Sequence, residues 1–159
     1  MLTKSASIAL FITILFSTSA RADNGQQAQW ANRFYTEVMN AANYDLLDTL
    51  VDDGFQEHEP LPGFQPNKEG LKQFFMMMRK AFPDLKSNVE FMVIDDDKIV
   101  SYVTMTGTHQ GEYFGVKGTG KTFKINVIDI IEVVDGKMTA HWGVGDYLTM
   151  MAQLGINAQ

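Results

Sequence analysis

The hydrophobic residues of this chain change their period once, and that change fixes the order in which helices and strands occur along it. From Gln26 to Ala42, Trp30, Phe34 and Val38 recur four residues apart, with Ala31, Tyr35 and Met39 beside them. That is the stripe of an amphipathic helix. A second, short helix is predicted over Tyr44–Val51 on Leu46, Leu47 and Leu50. A third, over Lys68–Ala81, is capped by Asn67, followed by Pro83, and buries Leu71, Phe74, Phe75, Met78 and Phe82. Between the second and third lies His58-Glu59-Pro60-Leu61-Pro62-Gly63, which must be extended or turning, because each proline biases its predecessor away from helix. From Lys86 the period is two. Val89, Phe91 and Val93 alternate up to Asp95-Asp96-Asp97, then come strands over Ile99–Thr108, Thr122–Val134 and Lys137–Val144, the last two joined by the hairpin signal Asp135-Gly136. Helices first and a four-stranded antiparallel meander after them is an α+β order. Its natural closure is a curved sheet wrapped around the helices, a cone with an apolar interior.

Residues 1–22 read as a secretory signal peptide. Lys4 precedes the apolar run Ile8–Phe16, and Ala20-Arg21-Ala22 offers a small-x-small cleavage site. The run is shorter than the roughly 20 residues that span a bilayer. The expected mature domain, residues 23–159, is periplasmic or secreted and free of the membrane after cleavage. Losing Lys4 and Arg21 leaves 19 acidic residues against 11 basic, a net charge of −8. Such acidity argues against nucleic acid as a partner, since a phosphate backbone needs a basic footprint. The chain has no cysteine, which removes a disulfide scaffold, a thiol nucleophile and a thiolate-bound metal.

Gly115-Val116-Lys117-Gly118-Thr119-Gly120-Lys121-Thr122 matches the phosphate-binding pattern G-x-x-x-x-G-K-[ST] at every position. A working loop of this kind ends at a helix N-terminus. Here Phe123-Lys124-Ile125-Asn126-Val127 alternates as a strand, so the segment is read as a glycine-rich connection between strands.

The reactive candidates are carboxylates and histidines. Phe123, Ile125, Val127, Asp129, Ile131 and Val133 share one strand face, and Asp129 is the only charged residue in that row. A carboxylate in an apolar wall is expected to have a raised pKa, which suits a general acid or base near neutral pH. His109 closes a mostly apolar row on the preceding strand. His141 and Trp142 point to opposite faces of the last strand, and Asp146 lies just beyond it. Asp129, Asp146, His109 and His141 are the predicted catalytic residues, and His58, Tyr35, Trp142 and Phe114 the predicted substrate contacts. No histidine pair has helical metal-ligand spacing, and no metal site is predicted.

Ala81-Phe82-Pro83-Asp84-Leu85, Gly107-Thr108-His109-Gln110-Gly111, Phe114-Gly115 with Thr119-Gly120-Lys121, Asp135-Gly136-Lys137, His141-Trp142 through Asp146, and Gln153-Leu154-Gly155 occur in the order seen in the SnoaL-like polyketide cyclases, also labelled ester cyclases. The chain resembles that family from about Trp30 to Gly155. The resemblance implies the NTF2-like cone fold, a deep pocket, a homo-oligomer formed through the open side of the sheet, and acid–base chemistry without metal or organic cofactor. In those cyclases an aspartate removes a carbon-bound proton, within an H-x-D-x-x-D pattern. Here that segment is His141-Trp142-Gly143-Val144-Gly145-Asp146, so Gly143 stands at the catalytic position, and Asp129 aligns with a pocket histidine. Two expectations follow: an enzyme acting on a small carbonyl compound with a relocated carboxylate, or a non-enzymatic exported protein that binds a small apolar or carbonyl-bearing molecule.

Overall fold

The computed structural model describes residues Asn24–Ile156, so the signal-peptide reading of residues 1–22 lies outside the described residues. The first helix begins as α1 (Asn24–Arg33) and widens into a π-helical stretch over Phe34–Asn40. Its predicted stripe is inside: Trp30, Ala31, Phe34, Tyr35 and Val38 are all buried. A 3₁₀ turn (Tyr44–Leu46) leads into the single-turn α2 (Leu47–Leu50), and α3 spans Lys68–Ala81. The Asn67 side chain accepts from the Gly70 N–H at 3.0 Å, the cap the sequence announces. Five strands follow the chain as β1 (Val51–Glu57), β2 (Lys86–Asp95), β3 (Lys98–Thr108), β4 (Thr122–Val134) and β5 (Lys137–Gly145). They form one sheet in the order β1-β5-β4-β3-β2, antiparallel except for the parallel β1–β5 pair. The protein is therefore α+β, with the helices against one face of a curved sheet.

Three expectations change. Val51, predicted to end a helix, opens edge strand β1, which doubles back beside β5 and makes the sheet five-stranded. Beyond β5 lies a helix the period did not reveal, α4 (Tyr147–Leu154), closed by Gly155 in the left-handed region at φ 70°. In β2 the register shifts between Val89 and Phe91. The extra residue, Glu90, turns Phe91 and Val93 outward, where each is 59% exposed, and leaves Met92 and Ile94 packed against the core.

The β3 and β4 alternation stands as read. Ile99, Ser101, Val103, Met105, Gly107 and His109 are buried, as are Phe123, Ile125, Val127, Ile131 and Val133. Asp135 (φ 51°) and Gly136 (φ 77°) make the β4–β5 turn with positive φ at both central positions, as a two-residue hairpin turn of this type requires. Thr122 opens β4 in place of a helix, so the glycine-rich match is a connection between strands.

Candidate active site

β4 and β5 bring Asp129 and His141 together. In the β4–β5 ladder Asp129 pairs with Gly143 and Ile131 with His141. The His141 ring leans along the strand over Gly143, and its Nε2 lies 3.3 Å from Asp129 Oδ1. An ideal Cβ placed on Gly143 would sit 2.7 Å from His141 Cε1, closer than real Cβ contacts come. Gly143 is thus the space in which the imidazole reaches the aspartate.

The other ring nitrogen, Nδ1, lies 2.6 Å from Glu57 Oε2. Glu57 is the last residue of β1, paired in register with His141, so the parallel edge strand delivers this third member. Asp129 Oδ2 in turn accepts from the Tyr35 hydroxyl at 2.8 Å, contributed by the π-helical stretch. Tyr35, Asp129, His141 and Glu57 form one hydrogen-bonded row. The three ionisable side chains at its centre are only 11–19% exposed.

Burial of the His141 ring works against its charge. The hydrogen bonds and charges of Asp129 and Glu57 outweigh that cost and push its pKa up to about 9. At neutral pH it is an imidazolium between two carboxylates. The Tyr35 phenol is driven far up, first by burial and then by the Asp129 charge, so it remains a donor. Tyr147, the first residue of α4, is likewise raised, chiefly by burial with the Asp129 charge adding. Its hydroxyl has no hydrogen-bond partner among the described residues.

These groups edge a cavity of about 120 Å³. Its remaining wall is apolar, with Phe34, Phe64, Phe74, Phe75, Met78 and Met105 prominent, and the 59–65 loop covers one side. An apolar cavity of roughly 150 Å³ holds a benzene ring. An apolar wall with a few convergent polar groups is the usual lining of a small-molecule site, and this space is at the small end for one.

The predicted site residues therefore divide. Asp129, His141 and Tyr35 meet; Asp129 and His141 line the cavity, and Tyr35 reaches it through Asp129. The expectation of an aspartate alone in an apolar wall is corrected, since both its oxygens have donors. Asp146 is exposed and caps α4, accepting from the Thr149 N–H at 3.1 Å, so it is a helix cap away from the cavity. His109 is fully buried, but among Phe82, Tyr113 and Thr119, with Nδ1 3.2 Å from Thr119 Oγ1. It ties down the loop after β3 and does not line the cavity. Trp142 faces the outside of the sheet and stacks on His58, ring centroids 4.3 Å apart, and neither lines the cavity. Phe114 is half exposed beside a separate, shallow hollow formed with Met76, Met77 and Pro62. Glu57 and Tyr147 are the cavity residues that sequence reasoning missed as site members. The Asp146-to-Thr149 cap pattern ahead of Tyr147, with Gly155 after Leu154, was the available signal for the second of them.

No group of three His, Cys, Asp or Glu side chains among the described residues has the arrangement of a metal site.

The family model for SnoaL-like polyketide cyclase matches residues 29–154. Among solved structures, the chain is similar to a candidate polyketide cyclase from Bacillus cereus, at 30% identity and a TM-score of 0.73 over 84% of this chain and 83% of that one. It is similar to TsrD from Streptomyces laurentii at 25% identity, with a TM-score of 0.76 over 85% of this chain and 98% of that one. IdmH, a candidate polyketide cyclase from Streptomyces antibioticus, superposes with a TM-score of 0.72 at 28% identity, over 82% of this chain and 99% of that one. No curated protein matches the chain.

Proposed function

Because the chain belongs to the SnoaL-like polyketide cyclase family, we propose that it performs acid–base chemistry, without an organic cofactor, on a small carbonyl compound held in the cavity beside Asp129. The observation that supports this reading is the Asp129–His141 pair at the edge of an apolar cavity. Asp129 takes the proton from the carbon next to the carbonyl. The His141 imidazolium, held by Glu57 and Asp129, contributes its positive charge nearby without donating to the enolate, and the free Tyr147 hydroxyl donates to the enolate oxygen. Preorganised donors of this kind in a dry site act where the transition state gains charge. Glu57 is a positioning residue, since it acts through His141.

The test is incubation of the protein with acetophenone in deuterium oxide, with NMR of the methyl protons. Incorporation of deuterium above the buffer rate is expected; incorporation no faster than in buffer sinks the reading. A second reading, a binding protein of the same fold, is favoured by Gly143 at the position where the family's cyclases carry their aspartate. It gives bound acetophenone with no exchange.

The same proposal extends to assembly as a homo-oligomer. The outer sheet face presents Phe91, Val93, Ile128, Ile130 and Val144, between 36% and 68% exposed. Across the ladders Tyr102, Ile128 and Val144 stand in one row, and Phe91 stacks on Tyr102. A contiguous apolar patch of this kind marks an interface. Ile128→Glu is expected to shift the sedimentation coefficient from dimer to monomer; a monomeric parent protein at micromolar concentration would dismiss the idea.

A further inference from the structure

The ionisable groups around the cavity are Glu57, Glu59, Asp129, His141 and Tyr147, with no lysine or arginine among its lining residues. The one cation, His141, has both ring nitrogens engaged: Nδ1 with Glu57 and Nε2 with Asp129. It therefore has no N–H left for an incoming anion. Glu59, exposed at the mouth, adds a third carboxylate, and its N–H is turned inward onto Glu57 Oε1 at 3.1 Å. A carboxylate or phosphate entering this space would lose its hydration, meet net negative charge and find no free cation to pair with. An unpaired ion in an apolar cavity is strongly disfavoured. A neutral carbonyl oxygen carries no charge to desolvate or repel, and neutral donors, Tyr147 with Gln65 and Ser87, line the same space.

We infer that the cavity selects an uncharged carbonyl compound and rejects anionic counterparts of the same size, with Glu59 at the mouth and Glu57 inside setting that selectivity. The inference rests on the chemistry proposed above for the carbonyl group. The charge selectivity stands on the lining residues alone and is read from binding without turnover.

Two probes of nearly equal shape separate the classes: acetophenone, which is neutral, and benzoate, which is ionised at pH 7. Each is titrated into the full protein, with backbone and ring NMR shifts of Gly143 and Tyr147 reporting occupancy of the cavity. Acetophenone is expected to bind at least about tenfold more tightly than benzoate, as expected for a unit charge within several ångströms of a site whose three carboxylates outnumber its one cation. Glu59→Gln is expected to narrow the ratio by roughly twofold to fivefold, because an exposed mouth charge is partly screened. Its exposure makes this a variant that keeps the fold. Benzoate binding as tightly as acetophenone, a ratio unchanged in Glu59→Gln, or shifts that avoid Gly143 and Tyr147 would each overturn the inference. Selective acetophenone binding with no deuterium incorporation would leave the selectivity in place and remove the proposed chemistry instead.

Discussion

Replacing Asp129 with asparagine should reduce deuterium incorporation into acetophenone by ~10²- to 10⁴-fold, the usual contribution of a positioned general base, while acetophenone still binds. The side chain keeps its shape but cannot take up a proton. Its surroundings make the loss specific. Tyr35 and His141 are both donors toward the two Asp129 oxygens, at 2.8 and 3.3 Å, so the carboxylate is held in one orientation at the cavity edge. An asparagine amide can accept from only one of them and must turn its own N–H groups toward the other. Some stability is lost for that reason, and the binding measurement separates it from the loss of chemistry. Exchange in Asp129→Asn within threefold of the parent protein would remove Asp129 as the base and leave Glu57 as the next carboxylate to test.

Which parts of this site could be read before the fold was known follows from what strand alternation does and does not carry. The β4 row placed Asp129 on the buried face because its neighbours at every second position, Phe123 to Val133, are apolar without interruption. The same argument put His109 on the buried face of β3, correctly, and then misled. Alternation fixes a face but not a depth along the strand. Asp129 pairs with Ser101, whereas His109 lies eight residues beyond Ser101, past the last ladder pair Thr108–Thr122. At about 3.3 Å per residue that is roughly 26 Å along the strand. Alternation also sends Trp142 away from the face that holds His141, which leaves it outside with His58.

Glu57 was hidden for a different reason. β1 has only Val51 and Phe55 as buried apolar residues, four apart, which reads as a helix turn more readily than as a strand. Its partner in the sheet, β5, lies some eighty residues further on, and pairing at that distance leaves no local mark. The β2 bulge at Glu90 is equally silent, since a one-residue slip reverses every side chain beyond it without changing composition.

Gly143 is where a single methyl group has the most to disturb. Gly143→Ala should cost ~10²-fold in exchange, the scale expected when a catalytic group is displaced by about an ångström. The added Cβ falls 2.7 Å from His141 Cε1, and the ring is held on both sides, by Glu57 and by Asp129. One of those bonds must give, and the longer one, to Asp129, is the one across which the methyl group lies. The variant also makes a thermodynamic prediction that a merely slower enzyme would not. In the parent protein the His141 pKa is about 9 when folded, against 6.5 for an unperturbed histidine. A raised folded pKa means stability that is fully present below pH 6.5 and is lost as the pH climbs through 9. That interval corresponds to on the order of 3 kcal/mol, measurable as a falling unfolding free energy in denaturant series between pH 6 and pH 9.5. In Gly143→Ala the slope should flatten, because the imidazolium has lost one of the two carboxylates that hold its proton. A parent protein whose stability is level over that range would mean that His141 is not held charged. A variant that keeps the full slope would mean that the ring still reaches Asp129, and that Gly143 is not what lets it do so.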